Sequence, residues 1–263
     1  MLELYHNVNS VCAQKVRVAL AEKGLEYREH LLTLRGDQFS PDYMKLNPHA
    51  VVPTLVHDAR TVIESSVILY YLDEAFPNPP LMPQDLHLRA RVRQYNKLID
   101  EYVHNSCTIL TFATAFRPWF AGLSAAEIEA RLFKSPSKQR AEYKRDVALH
   151  GLDSKYVRDA LAHHARLLRM MDESLATGTW LAGERFSLAD AAVIPYVLRL
   201  DLLRLNGMWA GKPRIDAWYA RMRERPSVKK EMLERMSAQD KAPFEKLEPD
   251  PWPKVRTLME EMA

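Results

Sequence analysis

Val51-Val52-Pro53-Thr54-Leu55 is followed shortly by Val62-Ile63-Glu64-Ser65-Ser66. The first stretch reads as a short apolar strand entered through Val-Pro. The second ends in an acid and a hydroxyl where a helix begins, at about Ser66, and runs to Ala75. Unpaired N–H groups and the helix dipole make such a start a carboxylate site. The Ser65 hydroxyl can add a hydrogen bond, and Glu64 supplies a negative partner for an α-ammonium group. Side by side they would grip the amino-acid end of a peptide-like small molecule. A serine cap beside a solvated glutamate is the commoner fate of such a pair. A third segment, Tyr5-His6-Asn7-Val8-Asn9-Ser10, leads into another helix start. A thiolate held there has a lowered pKa, because the helix N-terminus stabilises anions. Ser10 and Cys12 both carry groups that could work at that point.

These residues need a scaffold, and the chain patterns as one. Leu2 to Tyr5 reads as a strand, and Val11 to Lys23 as a helix stopped by Gly24. Leu25 to Leu32 reads as a second strand, and Ser40-Pro41 opens a short helix. Thr54–His57 and Thr61–Ile63 form two strands around the turn Asp58-Ala59-Arg60, so they must be antiparallel. The order is βαβαββα, a small mixed sheet with helices on it. Pro77-Asn78-Pro79-Pro80-Leu81-Met82-Pro83 cannot continue a helix or a central strand. A linker is placed at 78–85, dividing an α/β domain (1–77) from an all-helical one (86–263). Helical spacing runs from about Leu86 to Phe116, breaks at Arg117-Pro118, and returns from Tyr156 to Leu175. Ser124-Ala125-Ala126-Glu127 and Ser187-Leu188-Ala189-Asp190 read as helix caps. Pro213 to Arg223 and Val228 to Met236 are the last helices before a proline-punctuated tail. The polar, basic stretch 133–154 takes no assigned element.

The bulk properties narrow the function. With 37 basic and 34 acidic residues among 263, the net charge of +3 does not favour a nucleic-acid or anionic-membrane partner. Only 8 glycines argue against a glycine-rich nucleotide fold. No apolar run approaches the ~18 residues of a membrane span. Cys12 and Cys107 read as two reduced thiols, and with no basic-then-apolar leader the expected location is cytoplasmic. The adjacent His163-His164 point apart on a helix, and no metal site is expected.

The order of domains and three motifs together resemble the soluble glutathione transferases over nearly the whole chain. The motifs are Asn47-Pro48-x-x-x-Val52-Pro53-Thr54-Leu55, Glu64-Ser65-x-x-Ile68-x-x-Tyr71-Leu72 and Phe186-Ser187-Leu188-Ala189-Asp190. The long 123–151 region, with its capped helix, Ser135-Pro136, basic residues and Gly151, is similar to the bacterial β-etherase-type branch, whose members cleave aryl ethers with glutathione. The resemblance implies a thioredoxin-like first domain, glutathione as cosubstrate and a homodimer. It implies that Pro53 follows a cis bond, exposing Val52 to pair with the cysteinyl backbone of glutathione as an added strand edge. Glu64 and Ser65 take the γ-glutamyl end, and Gln38 and His49 are weaker candidates for the glycine end. Many relatives carry a basic residue one place after His49, where this chain has Ala50. Ser10 occupies the position of the activating serine, with Asn9 beside it.

The working group is assigned to Ser10, as stabiliser of the glutathione thiolate and not as a nucleophile, with Cys12, as a thiol forming a mixed disulfide, the alternative. A small buried residue on the first helix is the more ordinary role for Cys12. The leading expectation is a glutathione transferase whose thiolate attacks an aromatic or aryl-ether electrophile lying between the domains. Tyr102, Cys107, Phe112, Phe116, Arg117 and Trp119 are the residues that could line that cleft. A non-catalytic binding or regulatory module on the same fold and a Cys12-based glutathione thiol oxidoreductase are the competing readings.

Overall fold

The computed structural model describes residues 1–132 and 136–262, so Ser135 of the etherase-like stretch lies outside the described residues. Strand β1 (Leu2–His6) feeds helix α1 (Val11–Glu22), which crosses to strand β2 (Arg28–Leu31). β2 runs parallel to β1, with Leu4 opposite Glu29, and a parallel return needs such a crossover. Helix α2 (Pro41–Leu46) follows, with Ser40 as its cap. Strands β3 (Thr54–His57) and β4 (Arg60–Ile63) then pair antiparallel, and helix α3 (Ser65–Ala75) closes the unit. The sheet order is β2-β1-β3-β4, the thioredoxin-like arrangement expected from the βαβαββα pattern. Leu4, Val16, Leu20, Leu55, Ile68 and Leu72 form its core, where α1 and α3 meet one sheet face.

β2 begins at Arg28, later than the expected Leu25. The Leu25 N–H is engaged by the Leu20 carbonyl at 2.9 Å, with Gly24 in the left-handed region at φ +63°. That is the helix-ending geometry of a Schellman motif, and a residue whose N–H closes a helix cannot enter a strand ladder.

Between α3 and the next helix the proline segment is tied down by Asp73. Its carboxylate accepts from the N–H groups of Leu81 (2.7 Å) and Met82 (3.1 Å) and from Lys23 Nζ (2.8 Å). The helical part opens with α4 (Leu86–Leu98), capped by Asp85. α4 continues through a π-helical segment, Ile99–Val103, into α5 (His104–Ala113). Sequence periodicity reads one long helix here; the wider π turn re-phases it. Next come α6 (Ala125–Leu132), α7 (Lys138–His150) inside the stretch left unassigned, and α8 (Val157–Leu175).

Helix α9 (Leu188–Leu202) is buried on nearly every side, as an all-round apolar helix must be. Its capping box is present: Asp190, fully buried, accepts from Ser187 N–H (3.0 Å) and Oγ (2.9 Å), from Leu181 N–H (3.0 Å) and from Trp218 Nε1 (2.8 Å). Helices α10 (Pro213–Glu224) and α11 (Pro226–Val228) follow, the latter running into π turns at Lys229–Glu234. The tail adds α12 (Ala238–Glu245) and α13 (Trp252–Glu260). Helix α1 lies between the two halves, packed on α3 on one side and α9 on the other. Among the described residues no helix is long and apolar enough to cross a membrane.

Candidate functional site

The loop from β1 to α1 is shaped by two buried arginines. Arg17 is fully buried on α1 and donates back to the carbonyls of Asn7 (3.2 Å) and Val8 (3.1 Å), and across to Glu231 O (2.8 Å). It also faces His6 Nδ1 at 3.1 Å, so Nδ1 accepts and Nε2 donates to Glu29 at 2.7 Å. Burial, with the charges of Arg17 and Arg235, lowers the His6 pKa to about 3, so the ring is neutral. Arg199 on α9 donates to Asn9 O at 2.6 Å. The Asn9 amide donates to Asp240 O in α12 at 3.1 Å, while its own Oδ1 is buried without a partner among the described residues.

At the start of α1, Ser10 is the N-cap, and its Oγ accepts from the Ala13 N–H at 3.3 Å. Two residues on, Cys12 is partly exposed. Its Sγ lies 3.3 Å from His104 Nδ1 at the start of α5 and 3.8 Å from the buried Tyr196 hydroxyl on α9. Burial alone would raise the thiol pKa. The His104 imidazole, a hydrogen bond to it, the Lys15 ammonium and a hydrogen bond from Ser65 outweigh that and bring it to about 6. Cys107 has no such imidazole and is buried; its pKa rises to about 11.

One turn further along α1, fully buried Lys15 donates to Ser66 Oγ at 2.8 Å and lies 3.4 Å from Asp100 Oδ1; Ser66 also donates to Asp100 at 2.8 Å. Cys12 and Lys15 are thus two rungs on one face of α1. They meet His104 and Asp100, two rungs on the π-wound junction of α4 and α5. The π segment aims both toward α1, in keeping with the frequency of such bulges at functional sites.

The Val52–Pro53 bond is cis, as expected. The preceding residue is held by a knot the sequence reading did not include. Val51 O accepts from the Tyr43 hydroxyl (2.5 Å) and Asn47 Nδ2 (2.9 Å), and both of those also reach Thr54 Oγ1. Glu64 is exposed at φ +67° and offers α3 no side-chain cap. The first N–H groups of α3 thus receive no cap from Glu64, and buried Ser65 stands beside them; uncapped helix-start donors suit a carboxylate. Ser65 is near Cys12, so the γ-glutamyl candidates and the thiol share one site. Gln38 accepts from Gly36 N–H at 3.0 Å within its own turn, and His49 is exposed. Neither is drawn to Cys12.

Of the expected cleft residues, Phe112, Phe116 and Trp119 come together, with Phe116 stacked on Trp119 at 4.0 Å between ring centroids. Tyr102 instead meets His163 and Arg166 on α8, and Arg117 turns to Leu149 O. His104, Lys15, Asp100 and Tyr196 were missed. The i,i+3 pairing of Cys12 with Lys15 was the one local signal available.

Two family models match in chain order and between them take in more than half of the chain: "Glutathione S-transferase, N-terminal domain" over residues 9–75, and "Glutathione S-transferase, C-terminal domain" over residues 131–226. Among curated proteins, the chain is 27% identical over 236 residues to "Glutathione S-transferase TCHQD" of Arabidopsis thaliana, covering 87% of this chain and 88% of that protein. It is 27% identical over 248 residues to "Protein LigF" of Sphingobium sp. (strain NBRC 103272 / SYK-6), covering 91% and 95%. The crystal structure of β-etherase LigF from Sphingobium sp. strain SYK-6 superposes with a TM-score of 0.78 at 25% identity, covering 89% of this chain and 99% of that one. A thioredoxin-like domain followed by this helical domain, matched by both models in order, leaves one assignment: the chain belongs to the glutathione transferase family, with glutathione as cosubstrate.

Proposed function

We propose that this glutathione transferase works through Cys12 in thiol transfer, with Ser10 as a structural cap. The observation that carries the reading is the 3.3 Å contact between Cys12 Sγ and His104 Nδ1. A thiol with a pKa of about 6 is mostly thiolate at neutral pH, and a thiolate is the attacking species in disulfide exchange. A second standing thiolate beside that of glutathione would repel it. The site is better suited to a Cys12 thiolate meeting glutathione that is already one half of a disulfide than to two thiolates side by side.

In this reading Glu64, Ser65 and the α3 N-terminus take the γ-glutamyl end, and Val52-Pro53 takes the cysteinyl backbone. Gln38 and His49 remain the weaker candidates for the glycine end, and Asn9 flanks the start of α1. Cys12 attacks the glutathionyl sulfur of a mixed disulfide. The S–S bond breaks, its electron pair leaves on the departing thiolate, and His104 supplies that thiolate's proton. Attack by a glutathione thiolate on the Cys12-linked disulfide then releases glutathione disulfide and restores Cys12. A second reading, glutathione attack on an aryl or aryl-ether carbon, is favoured by the aromatic strip of Phe112, Phe116 and Trp119 and by the likeness to LigF.

The test compares Cys12→Ser and Ser10→Ala on the glutathione mixed disulfide of 2-mercaptoethanol, on chlorodinitrobenzene and on an aryl ether. Cys12→Ser should abolish thiol transfer, while Ser10→Ala should keep most of it. Wild-type thiol transfer by Cys12→Ser, or conjugation lost in Ser10→Ala alone, would return the role to Ser10. We further propose a cytoplasmic homodimer that docks the helical domain on the partner's first domain. Val67 on α3 (51% exposed) and Tyr102 at the π segment (38% exposed) offer apolar contact on those two faces. Light scattering checks the dimer.

A further inference from the structure

Cys12 has more around it than disulfide exchange requires. That exchange runs at sulfur and builds up no charge on oxygen. Attack by the same sulfur on a carbonyl forms a tetrahedral oxyanion, which needs hydrogen-bond donors beside the nucleophile. Cys12 is the second residue of α1, where backbone N–H groups have no partner inside the helix. Ser10 Oγ caps only the Ala13 N–H, at 3.3 Å. Among the described residues the N–H groups of Val11 and Cys12 meet no acceptor. The Cys12 nitrogen is joined to its own Sγ through only Cα and Cβ, so a carbonyl bonded to that sulfur brings its oxygen within reach of the N–H.

The second requirement is a base that can act on water. Disulfide exchange is completed by another thiolate and needs no such base. An acyl group on sulfur is removed by water, which must lose a proton as it attacks. His104 Nδ1 lies 3.3 Å from Cys12 Sγ, and Nε2 lies 4.0 Å from it. The buried Tyr196 hydroxyl is 3.4 Å from the same Nδ1, with its ring edge-on to the imidazole, so His104 is fixed beside the sulfur. Nucleophile, base and a group that orients the base are in contact, as acyl transfer through a cysteine requires. Cys12 is partly exposed, which admits water.

We propose that the site also hydrolyses thiolesters of glutathione, through an acyl group carried on Cys12. The inference rests on the Cys12 reading, since it gives the same nucleophile a second electrophile. Glutathione, the cosubstrate, becomes the leaving group. The Cys12 thiolate attacks the acyl carbon, and the oxyanion accepts from the Val11 and Cys12 N–H groups. The C–S bond to glutathione breaks, its electron pair leaves on the glutathione sulfur, and His104 delivers the proton it took from Cys12. Water then attacks the acyl carbon and gives its proton to His104. The C–S bond to Cys12 breaks and restores the thiolate. The sum is thiolester plus water giving carboxylate, a proton and glutathione, with no oxidant or reductant.

S-acetylglutathione is the probe. Wild-type protein should release acetate and glutathione, and acid quenching during turnover should show an acetyl group on Cys12 by peptide mass spectrometry. Cys12→Ser should lower the rate at least about hundred-fold. At about pH 9.5, above the ordinary thiol range, Cys12 ionises without the imidazole. There His104→Gln should acylate and stall, clearing acetyl-Cys12 about hundred-fold more slowly than wild type, the low end for a positioned base. Hydrolysis undiminished in Cys12→Ser, or acetyl-Cys12 cleared by His104→Gln as fast as by wild type, overturns the proposal. So does wild-type protein that turns over the glutathione disulfide of 2-mercaptoethanol but not S-acetylglutathione, a result that leaves the Cys12 reading intact. Wild-type protein that turns over neither overturns both.

Discussion

Replacing His104 by alanine isolates what sets the acidity of Cys12. With His104 present the thiol sits at about 6, although burial by itself pushes it upward. Remove the imidazole and burial is opposed only by Lys15 and Ser65. Cys107, buried without an imidazole, marks the upper bound at about 11. An ordinary thiol, at about 8.5, marks the lower one. The prediction is therefore a rise of about three units in His104→Ala, to about 9. The direction follows from the acid: thiolate forms as pH rises through the pKa, so the rising limb of reactivity moves from about 6 to about 9.

The assay is alkylation of Cys12 by iodoacetamide across pH, read by peptide mass spectrometry. Rate at one pH would mislead. At pH 7 the thiolate fraction falls about ninety-fold, but a thiolate three units more basic is about twenty-fold more nucleophilic, leaving a net loss of only about five-fold. The midpoint of the profile is the quantity to fit. A midpoint that stays below 7 in His104→Ala would refute the assignment of His104, and a larger shift in Ser10→Ala would return the site to the cap.

Lys15→Met should raise the same midpoint by about one unit, because it removes a cation one helical turn from the sulfur, and Lys15→Arg should restore it. Ser10→Ala should lower stability by about 1 kcal/mol in urea through loss of the cap, with the alkylation midpoint unmoved. His6, held neutral with its pKa lowered to about 3, binds fewer protons folded than unfolded. Unfolding then takes up a proton between about 6.5 and about 3, so stability falls with decreasing pH in that window by up to about 1.4 kcal/mol per unit. Urea midpoints in His6→Gln should show a shallower fall.

The parts of the fold legible in sequence are those written locally. Ser187 to Asp190 is a cap whose residues touch each other, and Val52-Pro53 carries its own geometry. The seven residues from Pro77 to Pro83 rule out regular structure by themselves. Cys12 is different: its environment comes from residues 92 and 184 positions away, His104 and Tyr196. Patterning makes it a small residue on a buried helix, and most of that helix is indeed buried. Only the docking of α5 against the start of α1 turns the exposed edge of Cys12 into a reactive one. The π segment at Ile99–Val103 was equally hidden, since one re-phased turn scarcely disturbs an apolar repeat that continues on both sides. Lys15 and Arg17 carry charges that helices ordinarily turn to solvent, yet both are fully buried, because α1 is covered on both flanks.

Those buried cations bear on why the chemistry sits at the domain boundary. Lys15, Arg17 and Arg199 each lose water, a cost of several kcal/mol per ion unless partners replace it. Their partners come largely from across the boundary: Asp100 for Lys15, Glu231 for Arg17, and Asn9 O for Arg199. An undocked pair of domains would return each cation to solvent and separate Cys12 from His104 in the same motion. The contacts that hold the halves together are therefore the ones that acidify the thiol. A thiol that is reactive only when the site is assembled is protected from side reactions in any partly opened state, because away from His104 it reverts toward an ordinary, mostly protonated group.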